Sequence, residues 1–489
     1  MYVTLLFASA AIFCVVIFLY SRQPFASVFH PISFYLIFHG FVFVIRPFFA
    51  YWQEYYIIYT SFLFTPSPDA KTAAIVIANI GLLAFIAGAW QTGATVLPFR
   101  QERADLEQRQ RLIVPFLAVA ALLAPIAIYS LANVYGGGWS TMRMDRSVGV
   151  AINTTANGWF IEAQLLLVPL SVLFAWVARF RWWSLVPLVA FVAVRGGTGG
   201  RGPFIVACVA AGLLWMYDAK RRWPTARAVG MLTVLVVAFY FVGQDRGASV
   251  RSFINDGKVI AVEEQQGFME SMDFANLEFL EFVTETIPRK TGTYGYFLDN
   301  LQVVTEPVPR KFWPGKPVGA PIKMYNLFEF GRPFGMTYSL PGNGWAQGGY
   351  FGVVLWCGLW GMALGAIYTR FARGLQGNFA VALYFSFLPI FVIAFRDGQL
   401  LTIVRTAVFY LSPILLWALA ARAMGVQETL RRLVIRPRRT APKARLARRT
   451  PPREPVLPPR ARRVPADGGP DGGIVPRAWR QPPRIQAPE

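Results

Sequence analysis

The chain predicts an all-α polytopic membrane protein. Three observations carry that prediction: repeated apolar stretches, scarce charge, and basic residues gathered in the gaps between stretches. About eleven stretches approach or reach the roughly 20 apolar residues that cross a bilayer core. They are 2–20, 25–45, 72–90, 112–131, 159–178, 182–195, 203–217, 228–243, 346–369, 378–395 and 399–421. Of the 489 residues, 55% are hydrophobic and 15% charged, and mean hydropathy is +0.42. A soluble chain of this length would divide into about two or three domains; these values describe one membrane bundle instead. The 15 Trp, 19 Tyr and 41 Phe suit interfacial belts as well as helix packing.

The first stretch has no charged n-region and no small-residue cleavage site, so it reads as a retained helix rather than a removable signal. The second holds both histidines, His30 and His39, which read as packing residues and exclude a His-rich metal centre. Cys14, Cys208 and Cys357 all fall in apolar stretches without metal-ligand spacing, so neither a disulfide framework nor a zinc site is expected. Short loops carrying Arg22, then Arg100/Arg103/Arg109/Arg111, Arg179/Arg181, Lys220/Arg221/Arg222/Arg227 and Arg370/Arg373 alternate onto one side. The positive-inside rule makes that side cytoplasmic.

Residues 244–345 form one long loop on the opposite side, and 422–489 form a basic tail on the cytoplasmic side. In the loop, Leu277, Leu280, Val283 and Ile287 recur at helical spacing with Glu278, Glu281 and Glu285 on other faces. Pro288 stops that helix. Gly- and Pro-punctuated segments follow and suit an ordered cap over the bundle. The tail is rich in Arg, Pro and Ala and cannot bury enough apolar surface to order itself. More than half of the net +22 lies in it, so the charge points to anionic lipid rather than nucleic acid.

The sixth and seventh stretches leave about 36 residues for two crossings, so they are expected to be short or partly re-entrant. Arg195-Gly196-Gly197-Thr198-Gly199-Gly200-Arg201-Gly202-Pro203 lies at their turn. Glycines admit close backbone approach, and guanidinium matches phosphate oxygens. Arg396 and Arg405 repeat the theme at the last hairpin, Arg405 some seven residues inside its span, where an ionisable residue is a functional hypothesis by default. In the long loop Arg246, Arg251, Arg289, Lys290, Arg310, Lys311 and Lys316 are interleaved with aromatics, Trp313 among them. Cations with sugar-stacking rings on one membrane face suggest an anionic, amphipathic substrate delivered by lipid. Asp245, Glu306 and Asp397 are base candidates by position alone.

Three stretches together resemble bacterial oligosaccharide repeat-unit polymerases of the Wzy, or O-antigen polymerase, type. They are Gly199-Gly200-Arg201-Gly202-Pro203-Phe204; Tyr294-Gly295-Tyr296 leading to Val308-Pro309-Arg310-Lys311-Phe312-Trp313-Pro314-Gly315-Lys316-Pro317; and Asn343-Gly344-Trp345 through Tyr350-Phe351-Gly352. The resemblance spans residues 1–421. It departs from the family at the third stretch, where relatives often carry an acid and this chain has Asn343 and Gln347.

The resemblance implies a GT-C-like, metal-independent glycosyltransferase of the inner membrane with no cofactor. It would polymerise undecaprenyl-pyrophosphate-linked repeat units on the periplasmic face, for O-antigen, capsule or exopolysaccharide. Donor and acceptor would both be lipid-linked, and a chain-length regulator and a flippase are the implied partners. Arg201 and Arg310 would be catalytic, with Arg195, Arg246, Arg251, Arg289, Lys316, Trp313, Arg396 and Arg405 binding pyrophosphate or glycan. Alternatives are an O-antigen ligase, disfavoured because the loop has no His, a flippase or transporter, and a non-catalytic scaffold for envelope assembly.

Overall fold

A computed structural model describes residues 1–99, 103–135, 142–145, 150–153, 162–197, 201–226, 228–230, 269–270, 274–305, 308, 312–313, 324–331, 337–374 and 376–426. Its helices are α1 (Tyr2–Ser21), α2 (Pro31–Trp52), α3 (Ile57–Phe62), α4 (Pro68–Gly93), α5 (Arg103–Arg111) and α6 (Ile113–Tyr135), then α7 (Ala163–Val177), α8 (Val186–Gly197) and α9 (Arg201–Asp218). After the first part of the long loop come α10 (Asn276–Thr286), α11 (Leu340–Arg373), α12 (Asn378–Asp397) and α13 (Leu400–Ala423). A small antiparallel hairpin pairs β1 (Met142–Asp145) with β2 (Val150–Asn153).

Among the described residues, α1, α2, α4, α6, α11, α12 and α13 are long and apolar enough to cross a membrane, and the chain is a helical, membrane-embedded protein. Three expected spans are shorter apolar helices, at Ala163–Val177, Trp182–Phe191 and Ile205–Asp218. The last two flank the Gly-rich turn, where brevity follows from the length available. The stretch expected at 228–243 and the tail 427–489 lie outside the described residues, apart from helical 228–230.

Helices α4 and α11 run side by side in the same direction. Gly81 faces Cys357, Gly88 and Ala89 face Gly358 and Gly361, and Gly93 faces Gly365. Small residues let the two backbones touch, which drives association where both lipid and helices are apolar. Thr369 completes the seam by donating to the Thr92 carbonyl at 2.6 Å.

Helix α4 also serves as a ruler. Its 26 residues span about 39 Å at 1.5 Å per residue, so Gly81 marks the middle. One end is the short-loop end. There His30 accepts from the Ile32 amide through Nδ1 and pairs through Nε2 with the Gly93 carbonyl, at 3.1 Å each. Arg109, fully buried, meets Asp218 at 2.7 Å and lies over the Trp176 ring. His39 packs among Phe13, Tyr35 and Phe43. At the other end Ser67 caps α4 and donates to Glu285 at 2.5 Å, so the long loop belongs there.

Helix α10 ends at Thr286, before Pro288, in line with its sequence pattern. Its placement is not read from that pattern. Every residue of α10 except Glu285 is buried, including Glu278 and Glu281. Its first residue, Asn276, donates to the Arg396 carbonyl at 2.9 Å, and its last turn reaches Ser67. The helix therefore lies inside the loop-side half of the bundle. The charge of Glu278 is tolerated there because Arg46, fully buried, meets both its oxygens at 2.6–3.0 Å and also donates to the Met269 carbonyl.

Among the described residues no such cation contacts Glu281. It accepts from Tyr59 at 2.6 Å, and burial, reinforced by neighbouring Glu278, pushes its carboxyl up to about 8 against weaker opposition from Tyr59, Lys71 and Arg46. The folded protein thus holds a proton that the unfolded chain releases near the ordinary carboxylate range. Stability is full at low pH and falls as pH climbs from about 4.5 to 8. Melting temperature in detergent is expected to decline across that window, and Glu281→Gln should flatten the decline. An unchanged slope in the variant would remove Glu281 as its source.

Candidate functional site

Three segments meet in the loop-side half of the bundle, and glycine geometry brings them together. The first is the start of α11. Gly348 and Gly349 interrupt that helix with non-helical backbone, Gly349 at φ +61°. In an unbroken helix Gly344 and Val353 would stand about 13 Å apart along the axis. Here a Cβ on Gly344 would lie 2.7 Å from the Val353 Cα, and Trp345 packs edge-on against Tyr350 at 5.0 Å. The chain folds back, so residues 340–347 form a short re-entrant helix beside the long one. Pro341, near its beginning, touches Gly81, the midpoint of α4.

The second segment is the turn between α12 and α13. Tyr384 donates to the Phe29 carbonyl at 2.7 Å near the short-loop end. Thirteen residues later, about 20 Å along a helix, Asp397 ends α12, so this turn also sits near mid-bundle. Gly398 makes it in the left-handed region at φ +71°. Its carbonyl accepts from Asn343 at 3.0 Å and Trp356 at 3.1 Å, while the Ser339 amide donates to the Arg396 carbonyl at 2.8 Å. Asp397 accepts from Thr402 and lies within electrostatic reach of Arg396 and Arg405. Arg405 also contacts Glu162 at 3.6 Å, an ion pair about one-third exposed. Its depth inside the final span is as the sequence placed it, but its carboxylate partner comes from beyond that hairpin.

The third segment is loop residues 294–301. The Gly295 and Tyr296 amides donate to the Ala346 and Gln347 carbonyls at 2.9 and 3.0 Å. The Phe297 amide donates to Gln347 Oε1 at 2.6 Å, and Gln347 Nε2 donates to Asp299 Oδ2 at 2.9 Å. Gln347 Nε2 also reaches Asn343 Oδ1 at 3.3 Å, so amide side chains link Asp299 to the Arg396–Gly398 turn. Tyr325 and Tyr338 are hydrogen-bonded to each other, and Tyr338 feels both Asp299 and Asp397. Burial raises the Tyr338 hydroxyl well above its ordinary range, reinforced by Tyr325 and the two carboxylates, so it stays protonated.

The expected site residues are thus unevenly placed. Arg396, Arg405 and Asp397 are brought together. Arg289 is exposed beyond the end of α10, and Trp313 is exposed in the loop. Arg195 lies in the last turn of α8 and Arg201 begins α9. Arg246, Arg251, Arg310, Lys316, Asp245 and Glu306 lie outside the described residues. Sequence reasoning missed Asp299, Tyr338 and Glu162.

The arrangement offers cations for an anion, phenols and amides for hydroxyl groups, and three carboxylates, Asp299, Asp397 and Glu162. Tyr296 and Phe351, near it in the chain, are exposed. No family model matches the chain, and neither a curated protein nor a solved structure matches it.

Proposed function

We propose that the chain is a membrane glycosyltransferase that polymerises lipid-pyrophosphate-linked oligosaccharide repeat units. It would work at the periplasmic face of a bacterial inner membrane, with undecaprenyl-pyrophosphate-linked donor and acceptor. The reading rests on the three motif stretches and on one observation in particular. The Gly-rich stretch that resembles the polymerases is the re-entrant helix, and it lies against the Arg396–Asp397–Gly398 turn.

In this reading the acceptor hydroxyl attacks the anomeric carbon of the donor, and the bond to the lipid pyrophosphate breaks with its electron pair leaving on phosphate. Preset guanidinium groups stabilise that departing charge, which is a large catalytic term. Arg396 and Arg405 supply it within the bundle; Arg195, Arg201 and Arg310 are the further cations proposed for the same diphosphate. Holding two lipid-anchored reactants in line supplies much of the remaining rate. No metal or cofactor enters the proposal.

One observation favours a second reading. Interrupted helices with polar groups at mid-bundle are also how transporters bind cargo, and α11 is interrupted at Gly348–Gly349. A strain lacking the gene separates the two. Loss of a polymerase leaves single-repeat lipid-linked glycans at the periplasmic face with no longer chains; loss of a flippase strands them on the cytoplasmic face. Unattached but fully elongated polymer would instead indicate a ligase. Arg201→Ala and Arg310→Ala are each expected to abolish elongation while membrane levels of the protein stay unchanged. If both still elongate normally, the proposed diphosphate site is wrong.

A further inference from the structure

Asp299 stands apart from the other carboxylates of the site in how it is held. The two residues just before its 3-10 turn, Tyr296 and Phe297, both adopt left-handed backbone, at φ +48° and +60°. Bulky side chains rarely occupy that region, and doing so is strained. The strain is held by the bonds from Gly295, Tyr296 and Phe297 to Ala346 and Gln347. Its result is to fix the Asp299 carboxyl beside Gln347, within electrostatic reach of Tyr325 and Tyr338.

Only one of its oxygens is used. Oδ2 accepts from Gln347, while Oδ1 is buried and accepts no hydrogen bond from any described residue. By contrast Asp397 is held by Thr402 and stands against two guanidiniums, whose charge it offsets. Glu162 is paired with Arg405.

We propose that Asp299 is the proton acceptor of the site, with Gln347 positioning it, and that the group it deprotonates is a saccharide hydroxyl. This rests on the transferase reading and adds the residue that activates the acceptor. As the hydroxyl oxygen bonds to the anomeric carbon of the donor, its proton passes to Oδ1 of Asp299. The electron pair of the broken bond leaves with the lipid pyrophosphate, and solvent later takes the proton from the carboxyl. Burial raises the Asp299 carboxyl above its usual range, opposed by the Gln347 bond and by the backbone amides of Asn300 and Asp299, and a raised carboxyl is a stronger base.

The test uses the full chain reconstituted in proteoliposomes, with lipid-pyrophosphate-linked repeat units extracted from the gene-deletion strain as the probe. Wild type is expected to build a ladder. Asp299→Asn, which keeps the shape and can still accept from Gln347, is expected to lose about 10²- to 10⁴-fold in kcat with KM little changed. Asp299→Glu, which keeps a carboxylate, should recover part of the rate. Gln347→Leu, which also removes the acceptor of the Phe297 amide, should lower the melting temperature and lower kcat with KM little changed.

Wild-type elongation by Asp299→Asn overturns the inference and leaves the transferase reading standing. So does an Asp299→Glu variant that is folded and as inactive as Asp299→Asn. Where Asp299→Asn does not accumulate, Asp299→Glu decides the matter. A wild-type protein that builds no ladder from this probe overturns the transferase reading, and the role of Asp299 with it.

Discussion

Arg46→Met is expected to remove the protein from the membrane fraction or leave it unable to survive purification. Arg46 and Glu278 are fully buried and bonded through three contacts of 2.6–3.0 Å. Deleting one member of such a pair leaves the other charge without compensation, at a cost of about 3–5 kcal/mol. That is a large part of the roughly 5–15 kcal/mol that holds a typical domain together. The loss is expected to extend to α10 as a unit, because Arg46 also holds the Met269 carbonyl ahead of that helix. Combining Arg46→Met with Glu278→Leu removes both charges and should restore accumulation, since well-packed apolar replacements of buried pairs are often neutral. Thermal unfolding in detergent measures both effects. Full stability in Arg46→Met alone would mean that α10 is not seated in the bundle.

Arg396→Ala is expected to leave the protein folded and to lower glycan transfer by about 10²- to 10³-fold, the usual cost of removing one preset group from charge developing in a transition state. The tertiary bonds of this residue to Ser339 and Asn276 run through its carbonyl, which alanine retains. Its guanidinium, half-buried at the last turn of α12, is what the substitution removes. Arg396→Lys keeps a charge but loses the fork that matches phosphate oxygens, so it should fall between alanine and wild type. Initial rates on lipid-linked glycan read the series. Equal rates in all three proteins would take Arg396 out of the site.

Much of the bundle is visible in the apolar runs, because length and composition alone decide which segments suit a bilayer. The fold-back at Gly348 and Gly349 was not legible, because residues 346–369 read as one continuous apolar span; those two glycines permit backbone that other residues resist. The position of α10 was not legible. Glu278 and Glu281 looked like the wet face of an amphipathic helix, and what makes their burial tolerable is an arginine 232 residues away in the chain. Asp299 was hidden for a similar reason. Nothing beside it in sequence marks it out; its placement comes from Gln347, 48 residues on, and from strain at Tyr296 and Phe297 that no composition rule reports. Conversely, the pairing of Arg405 with Glu162 shows that a lone arginine within a span can find its counter-charge outside its own hairpin.

Purified protein, given only lipid-pyrophosphate-linked repeat units in a defined bilayer, provides the most direct measurement. A gel of the extracted glycans should show a ladder of lengthening chains and stoichiometric release of lipid pyrophosphate. Repeat units that remain single, or that only change leaflet, would contradict the account.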